Sequence, residues 1–209
     1  MQRDRETEKK ILDAARTVFV RRGTAGARMQ EIAEAAGVNQ ALLHYYFKSK
    51  DGLAQAVFRD VAVRMLPAIV SIFASDASLE RKIRDFVRLY IDTVRAAPFM
   101  PGYILAELNF NPERIATLAA EITGAPPGTL ARSFVPQLRA QLEEEKRAGR
   151  MRPISPEQFL VNLFSLCVFP FAARPMLRIV LGMEDDAFDA FLDERREELP
   201  DFILSALRP

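Results

Sequence analysis

Tryptophan is absent from this 209-residue chain, and cysteine and histidine occur once each. One cysteine, Cys167, rules out an intrachain disulfide framework, and nothing argues for secretion. A single histidine and a single cysteine cannot build a His/Cys zinc centre. No apolar run reaches the about 18 residues that a membrane span needs. The longest, residues 159–173, ends at Arg174. The opening MQRDRETEKK lacks the apolar core of a signal peptide. There is no phosphate loop and no Gly-rich dinucleotide fingerprint. Glu143–Glu145 and Glu197–Glu198 look like solvated helix faces rather than paired catalytic acids. These absences predict a cytoplasmic protein that is not an enzyme, uses no cofactor or metal, and does not engage a membrane.

What is present is apolar and unevenly charged. Hydrophobic residues make up 49% of the chain, with 15 Phe, enough for a substantial core. Net charge is +1. The first fifty residues carry ten Lys/Arg against six Asp/Glu, whereas the remainder carries 19 against 22. A modestly basic head therefore precedes an acidic body, as suits a head that meets phosphates.

Apolar residues recur at spacings of three and four, with no sustained period-two alternation, so the expected fold class is all-α. Helices are expected over residues 7–22 (stopped by Gly23), 29–36, 40–47 and 50–73, the last bent by Pro67. Further helices are expected over 79–97, 103–110, 113–122 (ended by the GAPPG turn at 124–128), 129–148, 156–169 and 185–207. The expected organisation is a three-helix head over 1–50, a connecting helix over 50–73, and a larger helical body over 74–209.

Residues 29–53, MQEIAEAAGVNQALLHYYFKSKDGL, carry the functional signal. A helix-turn-helix needs two short helices crossing steeply through a turn of about three residues. Gly37 can take the positive φ that ends the first helix, and Asn39 is a good N-cap for the second. Ala33 and Ala36 allow close approach; Ile32, Val38, Leu43 and Phe47 supply buried contacts. On the second helix Leu43 and Phe47 point inward. Ala41, Leu42 and Tyr45 then point outward, flanked by Gln40, His44 and Tyr46. Gln can bond adenine bidentately and Ala or Leu can touch a thymine methyl. Tyr hydroxyls reach phosphates, and Lys48 and Lys50 add charge. The alternative is a helix pair used only for packing.

This region resembles the TetR family of bacterial regulators over residues 5–65. The matching positions are Gly23, Ile32-Ala33, Ala36-Gly37-Val38, Leu43, Tyr46-Phe47, Ser49-Lys50 and Leu53. The resemblance implies a homodimer on a palindromic double-stranded DNA operator, and a body that answers a small-molecule effector, apolar or amphipathic. It implies base-edge contacts at Gln30, Gln40, Ala41 and Leu42 and DNA-backbone contacts at His44, Tyr46 and Lys50. Tyr45 is added from the helical wheel. Three positions depart from the family: Arg28, Leu42 and His44. Arg28 replaces a hydroxyl cap and is placed to grip a phosphate.

In the body, Phe86, Tyr90, Phe99, Met100, Tyr103, Glu107, Asn109, Phe110 and Phe134 are the candidate ligand-pocket residues: soft and aromatic with a few polar groups, as small-molecule sites are. Plain cores share that composition. The resemblance further implies that the last two long helices pair with a second subunit. The candidate dimer residues are Phe159, Leu163, Phe164, Phe188, Leu192, Leu199, Phe202 and Ile203. Cys167 reads as core. The expected output is repression relieved by ligand. An activator with the same head, or a helical small-molecule-binding protein with a vestigial one, are the alternatives.

Overall fold

The computed structural model describes residues 2–126 and 129–209, without the side chains of Gln2 and Arg3. Pro127 and Gly128, part of the expected GAPPG turn, lie outside the described residues. The first core is closed by α1 (Gln2–Gly26), α2 (Met29–Ala36), α3 (Gln40–Phe47) and the opening turns of α4 (Lys50–Ala74). Ile11, Ala15, Val18 and Phe19 meet Ile32, Ala33, Leu43 and Phe47 there, with Leu53, Ala54 and Val57 of α4. Gly23 interrupts α1, as expected: at φ 67° and ψ 167° its backbone is not helical, and only a short helical piece follows across the kink to Gly26.

The remaining helices are α5 (Leu79–Arg95), α6 (Met100–Phe110), α7 (Pro112–Thr123), α8 (Val135–Arg147), α9 (Pro156–Ala172), α10 (Arg174–Leu181) and α11 (Asp185–Leu207). Among the described residues there is no strand. Two departures from the sequence reading have local causes. The helix expected over 129–148 is split into a 3-10 turn (Leu130–Ser133) and α8. Pro136 has no N–H to give the Arg132 carbonyl and its ring would crowd that oxygen, so a helix running through from residue 129 breaks just before it. Phe134, at φ −139°, lies at that break. Helix α10, which no expectation covered, starts with Arg174-Pro175 and ends at left-handed Gly182.

Helix α4 runs through three apolar clusters. Its start completes the head. Its middle, through Phe58, Val61 and Ala62, meets Met100 of α6 and the half-buried Ile115, Leu118 and Ile122 of α7. Its end, through Ile69 and Phe73, enters the main body core with α5, α8, α9 and α11. There Phe73 lies 5.5 Å from Phe86 and 5.6 Å from Phe134, ring centre to ring centre. Buried Lys82 secures the α4–α5 turn: its ammonium donates to the Phe73 carbonyl (3.1 Å) and to Gln141 Oε1 (2.8 Å). A helix's last carbonyls lack intrahelical donors, so a cation there is favourable.

Pro170 explains a second inward-facing cation. It has no N–H to give the Leu166 carbonyl one turn back in α9. The half-buried Arg195 of α11 fills the gap, donating to that oxygen from Nε (3.2 Å) and Nη2 (2.7 Å). Arg195→Met should therefore lower stability by about 1–3 kcal/mol, the cost of an unsatisfied buried acceptor. In a Pro170→Ala background, which restores the N–H, the same change should cost less. A double-mutant cycle of thermal midpoints showing no coupling would remove this account.

Among the described residues no single helix is long and apolar enough to cross a membrane; α9 and α10 reach that length only as a pair bent by 70°.

Candidate nucleic-acid interface

Local chemistry sets the two short helices. Gly37 takes φ 65° at the end of α2, and Val38 N–H closes onto the Ala33 carbonyl at 3.0 Å. Asn39 Oδ1 accepts from Leu42 N–H at 2.7 Å, starting α3 as an N-cap does. Arg28 precedes α2 without a side-chain cap. Leu43 is fully buried and Phe47 nearly so, which fixes the inward side of α3.

The end of α3 is held tightly. Lys48 has φ 61° and ψ −45°, and Ser49 N–H reaches back to the Phe47 carbonyl at 2.6 Å. This is a γ-turn, a rare and strained way to reverse the chain. Ser49 then caps α4 by accepting from Gly52 N–H at 3.0 Å. A Cβ on Gly52 would lie 2.3 Å from the Phe47 carbonyl oxygen, so only glycine permits this approach. Helices α3 and α4 therefore meet with no slack.

The DNA candidates lie as follows. Arg28, Gln30, Gln40, Ala41, His44, Tyr45 and Lys48 are exposed; Leu42, Tyr46 and Lys50 are half-buried. Tyr45 is 70% exposed, with Lys48 Nζ 5.5 Å from its ring centre and 3.0 Å from its carbonyl. Gln40 and His44 sit one turn apart with side-chain nitrogens 3.5 Å from each other. Gln30 donates to Glu34 (3.0 Å). Two candidates are tied into the head: Tyr46 donates to Asp4 of α1 (3.3 Å), and the Lys50 ammonium donates to the Ala25 (2.9 Å) and Ala27 (3.1 Å) carbonyls. The free outward surface of α3 is thus Gln40, Ala41, His44 and Tyr45.

The pocket candidates separate. Phe86, Tyr90 and Phe134 are packed in the body core, where α4, α8 and α9 cover them. Burial pushes the Tyr90 phenol above its ordinary value. Met100 is buried in the middle cluster. Phe99 packs at a tilt against Phe19 of the head, 5.3 Å between ring centres. Asn109 is exposed and donates to the Leu105 carbonyl of its own helix (2.8 Å). Of the nine, Tyr103, Glu107 and Phe110 border a groove of about 870 Å³ between α4, α6 and α7. Its charged members Arg59, Arg114 and Glu121 carried no local sequence signal. Arg114 and Glu121 are seven residues apart on one face of α7.

The dimer candidates divide by exposure. Phe159, Leu163, Phe188, Leu192, Leu199 and Ile203 are each at most 6% exposed within the single chain. Their side chains face the core formed with α5 and α8, so they are covered before any second copy arrives. Phe164 is half-buried against Phe86 (4.7 Å). Phe202 alone of the eight is outside, 63% exposed. The outward apolar residues on these helices are Val161, Phe169 and Phe202. Cys167 is buried, and that burial pushes its thiol up to about 12, leaving it protonated near neutrality. Among the described residues no three His, Cys, Asp or Glu side chains gather as a metal site would require.

Comparison with known proteins agrees with this geometry. Residues 11–57 match the family model described as bacterial regulatory proteins, tetR family. The HTH-type transcriptional regulator RutR of Escherichia coli O157:H7 is 28% identical over 207 residues, covering 97% of this chain and 91% of the relative. The regulator BetI of Rhizobium meliloti (strain 1021) is 33% identical over 105 residues, half of each chain. Among solved structures, the hemolysin II transcriptional regulator HlyIIR superposes with a TM-score of 0.59 at 23% identity, covering 98% of both chains. The fatty acid degradation regulator FadR from Bacillus halodurans gives 0.62 at 19%, covering 97% of this chain and 96% of that one. At these identities the two structures speak for the fold.

Proposed function

This chain belongs to the TetR family of DNA-binding transcriptional regulators, and from that premise we propose that it is a homodimeric repressor released from a palindromic operator by an amphipathic small molecule. The observation that carries the reading is the outward surface of α3: Gln40, Ala41, His44 and Tyr45 stand free on a helix anchored from behind by Leu43 and Phe47. A glutamine, a methyl group and an exposed tyrosine are the groups that read base edges and reach phosphates in a major groove. Such a protein acts where the DNA is, in the cytoplasm.

Two-fold symmetry is what paired half-sites require, with recognition helices about 34–36 Å apart. The outer side of α9 and α11 supports a second copy. Asn162, Ser165 and Leu166 border one groove there with Phe202 and Ala206. An apolar surface rimmed by polar groups commonly marks such a contact.

Release is a mechanical matter in this reading. Residues 1–50 form the reading head and 74–209 the responding body, joined by α4. Because Gly52 abuts the end of α3, a displacement of α4 passes to the recognition helix undamped. A coupling of about 1–3 kcal/mol weakens DNA binding about 5- to 150-fold. A bound dimer represses by obstructing polymerase.

A gel-shift titration on DNA flanking the gene, at two salt concentrations and with unrelated competitor DNA, tests the proposal. Sequence-selective binding that weakens steeply with salt is expected. Binding that is absent, or the same on any sequence, would overturn it.

A further inference from the structure

The groove between α4, α6 and α7 has a chemistry of its own. Its apolar wall is Phe58, Tyr103 and Leu118, with Phe110, 82% exposed, at the edge. Three carboxylates border it: Glu107, Glu113 and Glu121. Two guanidinium groups oppose them, and both are already engaged. Arg59 bonds Glu121 at 2.6 Å. Arg114 spans Glu107 (3.2 Å) and Asp51 of α4 (2.7 Å). Counting Asp51, four carboxylates stand against two cations. Glu113 has no hydrogen-bond or ion-pair partner among the described residues, and the Tyr103 hydroxyl is sealed from solvent without one. An apolar aromatic wall with surplus negative charge attracts cations, through ring faces as well as carboxylates. An anion would have to displace Glu121 or Asp51 from its arginine, leaving a carboxylate uncompensated.

We propose that this groove binds an amphipathic organic cation, with its apolar part on Phe58 and Tyr103 and its positive charge toward Glu113 and Glu121. The inference rests on the ligand-responsive reading above and gives the effector a charge. It also gives it an address. The groove is walled by the α4 segment from Gly52 to Arg59, which begins five residues after the recognition helix ends. The Arg114–Asp51 bridge joins α7 to the first turn of α4 across the same space. A bulky occupant therefore parts α6 and α7 from α4 beside the reading head, rather than acting from the far end of the body.

Two probes of one shape and opposite charge make the test: tetraphenylphosphonium and tetraphenylborate, titrated calorimetrically into the full chain without DNA. Tetraphenylphosphonium should bind at least about tenfold more tightly than tetraphenylborate. Glu113→Gln with Glu121→Gln, both at exposed positions, should weaken the cation at least about fivefold. Arg59→Gln, which frees Glu121, should strengthen it. No cation binding, equal binding of the two probes, or cation binding indifferent to the glutamate substitutions would each overturn the proposal. Because DNA is left out, a chain that shifts its operator but ignores tetraphenylphosphonium loses this site and keeps its role as a regulator. A chain that binds the cation by these criteria but no operator keeps the site and loses that role.

Discussion

Gln40→Ala combined with Tyr45→Ala should weaken operator binding by about 2–4 kcal/mol, about 30- to 1000-fold, with no change in thermal midpoint. Each base contact of the bidentate kind contributes about 1–3 kcal/mol, and a tyrosine reaching a phosphate adds to it. Both side chains are exposed, and exposed substitutions away from special features shift stability by no more than about 0.5 kcal/mol. The Gln40 side-chain nitrogen lies 3.5 Å from a His44 ring nitrogen, and the Tyr45 ring meets Lys48 and Tyr46. The measurement is a gel-shift isotherm beside a melting curve. Unchanged affinity in a folded double variant would mean that α3 presents a different face to DNA.

Phe73→Ala should do the reverse, destabilising the chain by about 3–5 kcal/mol. Phe73 is fully buried where three segments meet: the last turn of α4, Phe86 of α5, and Phe134 before α8. Removing the ring leaves a cavity that helices on three sides cannot all close. For a chain of this size about 2–4 °C is lost per kcal/mol, so the midpoint should fall by about 6–20 °C. The contacts of α3 with the head are untouched, so the fraction still folded at low temperature should bind operator normally. A midpoint within about 2 °C of the parent would show that this junction is not close-packed.

The head was legible in the sequence because its determinants are local. Gly37, Asn39 and the four-residue spacing of Leu43 and Phe47 each act within a few residues of where they stand. The body was legible as helices but not as surfaces. An apolar stripe says that something covers it, not what. On α11 the stripe through Phe188, Leu192, Leu199 and Ile203 is covered by this chain's own core, whereas Phe202, one residue from Ile203, is left outside. The same limit applies to the candidate pocket residues. Residue type cannot separate Phe86 from Phe110, yet the first is core and the second stands at the groove's edge. The groove's charged residues become neighbours only when α7 lies along α4, as the Arg59–Glu121 pair shows. Helix α10 and the break at Phe134 turn on prolines, whose effect depends on the packing around them.

The three clusters strung along α4 bear on how such proteins can be recombined. Leu53, Ala54 and Val57 are buried in the head's own core although they lie beyond its last short helix. A head cut at residue 50 and grafted onto another body would leave that core open on one side and break the fit of Gly52 against Phe47. A workable exchange carries the chain through Val57 at least, and then inherits Gly52, Gln55 and Ala56, which border the groove. On the proposed reading, specificity for DNA and sensitivity to a ligand travel partly together: the splice that preserves the reader also transplants part of the proposed receiver's wall.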